Sequence, residues 1–76
     1  MKDLVEFIAK KLVQNPEDVQ VRVIERDDNS LYELRVHQED MGRIIGRNGK
    51  TAKAFRTVVG AAAAKADVYV TLEIIE

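Results

Sequence analysis

Three stretches of the chain alternate apolar and polar residues with a period of two, and that alternation limits the possible fold more than any other property of the sequence. Val19, Val21 and Val23 alternate with Gln20 and Arg22. Tyr32, Leu34 and Val36 alternate with Glu33, Arg35 and His37, and Val68, Val70, Leu72 and Ile74 with Tyr69, Thr71 and Glu73. Successive side chains on a strand point to opposite faces, so each stretch reads as a half-buried strand. Arg26-Asp27-Asp28-Asn29-Ser30 joins the first two and is rich in turn formers, which predicts a hairpin. Asp67 is expected to open the third strand.

Elsewhere the period becomes helical. Leu4, Val5, Ile8, Ala9, Leu12 and Val13 recur at helical spacing, and Asp3 and Glu6 are spaced as a capping box. This helix is expected to stop at Asn15-Pro16, because asparagine tolerates a left-handed cap and proline cannot continue the ladder. Asp40 is placed to cap a short helix through Met41, Ile44 and Ile45 that runs into Gly46. After Gly49 a longer helix is expected, with Ala52, Phe55, Val58, Val59 and Ala62 on one side at about 100° per residue and Lys50, Lys53, Arg56 and Thr57 on the other. The order is α-β-β-α-α-β. A chain of 76 residues buries only roughly 60% of its unfolded surface, which predicts a single domain over residues 1–76 with one core. Helices covering one face of a three-stranded sheet make it a two-layer α+β domain.

Gly46 and Gly49 bracket Arg47 and Asn48 where one helix ends and the next begins. Glycines there permit positive φ and close backbone approach, while the free N–H groups of the following helix face the gap. A phosphate fits such a place, helped by the helix dipole. The net charge of −1 and pI near 5.8 argue on their face against nucleic acid, but the charge is segregated. From Met41 to Ala66 lie six basic residues (Arg43, Arg47, Lys50, Lys53, Arg56 and Lys65) and no acidic one, so all 13 acidic residues lie elsewhere. Lys65 is read only as a cation near a helix C-terminus, where the dipole favours it.

The run Gly42-Arg43-Ile44-Ile45-Gly46-Arg47-Asn48-Gly49-Lys50-Thr51-Ala52-Lys53-Ala54-Phe55-Arg56 resembles the helix, loop and helix of a KH domain, whose motif reads Ile-Gly-x-x-Gly with apolar flanks. Two strands before the motif and one after resemble the type II, prokaryotic arrangement, and the chain's length is similar to that of the small bacterial KhpA family. That resemblance implies non-catalytic binding of short single-stranded RNA, with the loop clamping the backbone of about four nucleotides. Its implied RNA-binding residues are Arg43, Ile44, Ile45, Gly46, Arg47, Asn48, Gly49, Lys50, Lys53 and Arg56. Ile44 and Ile45 would support or line a groove for the bases, with residues Leu34 to His37 as its far wall. The implied role is that of an RNA chaperone or post-transcriptional regulator. Pairing with itself or with a larger KH-containing protein is implied as well.

Other chemistries find less support. Gly49-Lys50-Thr51 resembles the end of a nucleotide-binding P-loop, but that motif needs glycine where Ile44 stands and a strand where a helix is expected. No catalytic grouping accompanies Asp27 and Asp28, and no cofactor is called for. The chain has no cysteine and a single histidine, His37, so no metal site is expected and a reducing cytoplasm fits. The residues from Met1 to Phe7 are unlike a signal peptide, and no apolar run approaches the ~18 residues of a membrane span. Tyr32, Tyr69 and Phe55 are read as packing residues.

Thr57, Gly60, Ala61 and Ala64 form a small-residue strip late in the long helix. Glycine inside a helix costs about 1 kcal/mol relative to alanine, so Gly60 suggests close approach by another backbone. That backbone is either the chain's own or a second copy's, and these residues are the candidate homodimer interface. A competing expectation is a protein-interaction module in which nucleic-acid binding is incidental.

Overall fold

The computed structural model describes residues 1–76. Helix α1 (Lys2–Leu12) precedes strands β1 (Gln20–Glu25) and β2 (Ser30–Arg35), then helices α2 (Met41–Ile45) and α3 (Lys50–Lys65), and strand β3 (Val70–Ile75). The predicted α-β-β-α-α-β order and the α+β class are those observed. The sheet runs β1-β2-β3. A hairpin makes β1 antiparallel to β2, with Gln20 opposite Arg35 and Glu25 opposite Ser30. β3 lies parallel to β2, with Ser30 beside Val70 and Arg35 beside Ile75. Parallel pairing requires a crossover, here supplied by α2 and α3.

Register sorts the side chains. Val21, Leu34 and Ile74 form one row of the inner face and Val23, Tyr32 and Leu72 the next. Val5 and Ala9 of α1, Ile44 of α2, and Phe55 and Val59 of α3 close over them. Arg22, Glu33 and Glu73 share a row on the outer face, leaving two layers.

Several local expectations are corrected. Met1 occupies the N-cap of α1 without a side-chain hydrogen bond, so Asp3 lies within the first turn, and the capping box is not formed. The helix stops at Leu12 rather than Asn15, and Asn15 has φ −116°, outside the left-handed region. A distant carboxylate explains the early stop. Gln14 N–H and Asn15 N–H donate to Asp40 Oδ1 and Oδ2 at 3.1 and 3.0 Å, and Asn15 Nδ2 donates to Oδ2 at 3.0 Å. Asp40 therefore secures the exit of α1, and although it precedes α2 it makes no capping hydrogen bond there.

In α3 the buried line is Ala52, Phe55, Val59 and Ala63, while Val58 is turned outward beside a shallow apolar groove between α1 and α3. Asp67 does not open β3. It sits at φ 61°, just beyond α3, where its N–H donates to Ala64 O and Val68 N–H donates to Ala63 O, each at 3.0 Å. That pair of bonds is a Schellman turn, which delays the strand to Val70 and leaves Val68 and Tyr69 outside the core. Tyr32 packs inside as expected; Tyr69 is 78% exposed. An aspartate just past a helix C-terminus faces the negative end of the dipole. Asp67→Asn keeps a residue tolerant of positive φ and removes that charge, so thermal melting should show a gain of about 0.5 kcal/mol.

Candidate nucleic-acid interface

The candidate clamp is built by the end of one helix and the start of the next. Gly46 N–H donates to Gly42 O at 2.8 Å, closing α2, and the chain then turns at φ 75°. Gly49 N–H returns to Gly46 O at 3.1 Å, tightening Arg47–Gly49 into a single turn. Gly46 has no substitute here. A Cβ added to it would collide with Thr51 Oγ1 and lie 2.8 Å from Thr51 N. At Gly49, also at φ 75°, backbone conformation is the constraint, because nothing lies near the missing Cβ. Asn48 has φ 57°, a region that asparagine and aspartate enter more readily than most residues. No side chain caps α3.

Around this turn Arg43, Arg47, Lys50, Lys53 and Arg56 are all exposed. Of the five, only Arg43 has a carboxylate within 4.0 Å, its Nε lying 3.7 Å from Asp40 Oδ1. Arg56 donates from Nε to Leu72 O at 3.2 Å, tying α3 to the edge of β3. The Asp40 carboxyl is 1% exposed. Burial alone would raise its pKa. The hydrogen bonds from the Asn15 side chain and the backbone of Gln14 and Asn15, with the Arg43 charge, outweigh burial and hold it below the ordinary 3.8.

The two isoleucines divide their work. Ile44 is fully buried in the core, where a ligand cannot touch it. Ile45 is 36% exposed and lines a cleft of about 440 Å³ with Met41, Val36, Gln38 and Glu76. The expected far wall is corrected accordingly. Leu34 is wholly buried, Arg35 lies on the outer sheet face, and His37 accepts from Glu39 N–H at 3.0 Å, leaving Val36 as the only cleft residue among the four. Sequence reasoning missed Gln38 and Glu76. The spacing of Met41 and Ile45 marks one face of α2, but Glu76 joins Val36 only because β3 runs parallel beside β2.

The small-residue strip is exposed throughout. Thr57 Oγ1 donates back to Lys53 O at 3.0 Å, so its hydroxyl is satisfied within α3. Nothing in the chain lies within 4 Å of where a Cβ on Gly60 would stand. The chain's own sheet and first helix are thus excluded as the reason for that glycine. The outward side of α3 is divided along its length, with Lys50 and Lys53 near the clamp and Gly60, Ala61 and Ala64 beyond it.

A family model described as KhpA/KhpB, KH domain, matches residues 2–74. The chain is 56% identical over 78 residues to RNA-binding protein KhpA of Halalkalibacterium halodurans, covering 100% of both chains. It is 53% identical over 75 residues to RNA-binding protein KhpA of Clostridium perfringens, covering 99% of this chain and 100% of that one. Among solved structures, the fold resembles part of a crystal structure of Era from Aquifex aeolicus, with TM-score 0.68 and 20% identity, covering 96% of this chain and 28% of that one.

Proposed function

Because the chain belongs to the KhpA/KhpB family of KH domains, we propose that it is a non-catalytic RNA-binding protein holding a short single strand across Gly46-Arg47-Asn48-Gly49. The observation that carries this reading is the turn itself. It opens onto the uncapped start of α3 with Arg47, Lys50 and Lys53 exposed and free of carboxylate partners. A phosphate placed there meets backbone N–H groups, the positive end of the helix dipole and mobile cations together. Lys53 and Arg43 extend the attraction to neighbouring phosphates, and the bases turn toward Ile45 and Met41. The contacts to the RNA backbone read no sequence, which suits an RNA chaperone or post-transcriptional regulator acting in the cytoplasm.

Titration of a labelled single-stranded RNA at increasing salt tests the electrostatic part. With about four cations on phosphates, at roughly −0.7 in logarithmic slope per contact, affinity should fall about fifty-fold between 50 and 200 mM salt. A flat salt response would remove the clamp as the binding site.

One domain grips few nucleotides, and a second would raise the effective concentration of the first. The uncovered strip at Thr57, Gly60, Ala61 and Ala64 supports a homodimer through α3, or a heterodimer with a larger KH-containing protein presenting a similar surface. Gly60→Phe should convert a dimer to monomer in light scattering with the monomer's circular dichroism spectrum retained, since a Cβ at that position meets no neighbour within 4 Å.

A further inference from the structure

The cleft beside the clamp has a chemistry that gripping the backbone does not require. Its apolar lining comes from Val36, Met41 and Ile45, and its polar contributors are Gln38 and Glu76, both exposed. Arg43 of α2 and the cations of the loop and α3 lie around the turn, and none of them lines the cleft. A carboxylate at the cleft repels phosphate, so the space suits a flat, uncharged group. Continuity with the clamp identifies that group, because Ile45 is bonded directly to Gly46. A nucleotide with its phosphate in the loop therefore brings its base to the cleft.

We infer, resting on the RNA-binding reading above and on the base groove it entails, that Glu76 selects bases with an exocyclic amino group at the cleft, cytosine over uracil among the pyrimidines. An ionised carboxylate only accepts hydrogen bonds. Cytosine presents N4–H donors to it, whereas uracil presents the O4 carbonyl at the same position, and its one donor on that edge, N3–H, lies between two carbonyl oxygens that repel a carboxylate. Gln38 does not discriminate, since its amide can turn either a donor or an acceptor toward the base. The apolar lining favours all bases alike. Glu76 reaches the cleft because Ile75 lies beside Arg35, so the next residues of the two strands, Glu76 and Val36, emerge together.

Fluorescence anisotropy with end-labelled oligocytidylate and oligouridylate of about eight nucleotides, twice the length a KH loop clamps, reads this selectivity at neutral pH and constant salt. The two strands carry equal phosphate charge and differ at the base edge. The protein should bind oligocytidylate about tenfold more tightly, the size of one well-placed base contact of about 1.4 kcal/mol. Glu76→Gln should bring the ratio close to unity, chiefly by strengthening binding of oligouridylate. Equal affinities for the two strands, or a ratio that survives Glu76→Gln, would overturn base selection and leave the clamp standing. Binding of neither strand would overturn the RNA-binding reading and the selectivity with it.

Discussion

Replacing Arg47 and Asn48 together by aspartate is expected to lower affinity for single-stranded RNA by at least about a hundredfold, with the fold intact. The variant loses one attraction to phosphate and gains two repulsions. At about 6 Å and an effective dielectric of about 40, each amounts to about 1.4 kcal/mol, so the three approach a thousandfold before salt screening reduces them. The substitution is gentle on the backbone. Arg47 is exposed, and aspartate accepts the positive φ of position 48 as asparagine does. Alanine at position 48 would add conformational strain and confuse charge with shape. Filter binding reports the affinity, and an unchanged circular dichroism melt certifies the fold. Undiminished binding would mean that the loop is not the grip, and the protein-interaction reading, which tolerates loop aspartates, would take its place.

Asp40→Ala is expected to cause the largest stability loss among polar substitutions, because it removes the acceptor of two backbone N–H groups and of the Asn15 amide, all of them part-buried. The wild-type protein should also lose stability in acid through this group. Its folded pKa lies below the unfolded 3.8, so the stabilisation is fully present above the unfolded value and disappears as pH falls through the folded one. Asp40→Asn should therefore be less stable than wild type near neutrality and show a flatter decline below pH 3.8. Urea melts across that range measure both effects. Parallel wild-type and Asp40→Asn profiles would show that this carboxylate contributes nothing specific.

Features encoded by neighbours in sequence are legible in the sequence itself. The alternation at Tyr32 and Leu34 or at Leu72 and Ile74 marks strands because it depends only on which face is buried. The Gly46 to Gly49 turn declares itself because backbone conformation is a local demand. Features that depend on distant partners were not legible. Asp40 looked like a cap for α2 because it immediately precedes that helix, yet its hydrogen bonds cross to Gln14 and Asn15. Those same bonds end α1 earlier than the proline alone requires. Val68 and Tyr69 continued the alternating pattern of β3, but the turn after α3 claimed the backbone first. Glu76 carried no signal at all, since its place beside Val36 is set by strand pairing across most of the chain.

The parallel pairing of β2 with β3 also dictates an order of assembly. Ser30 and Val70 are neighbours in space but forty residues apart in sequence, whereas β1 and β2 meet through a short turn. Closing the longer loop carries the greater entropic cost, so the hairpin is expected to form early and β3 to dock late. Until it docks, Arg56 lacks the Leu72 carbonyl and the cleft lacks Glu76. During synthesis, a nascent chain would display its basic helix before possessing a finished groove. Contacts made with RNA in that interval would be governed by charge alone, and discrimination between bases would arrive only with the final strand.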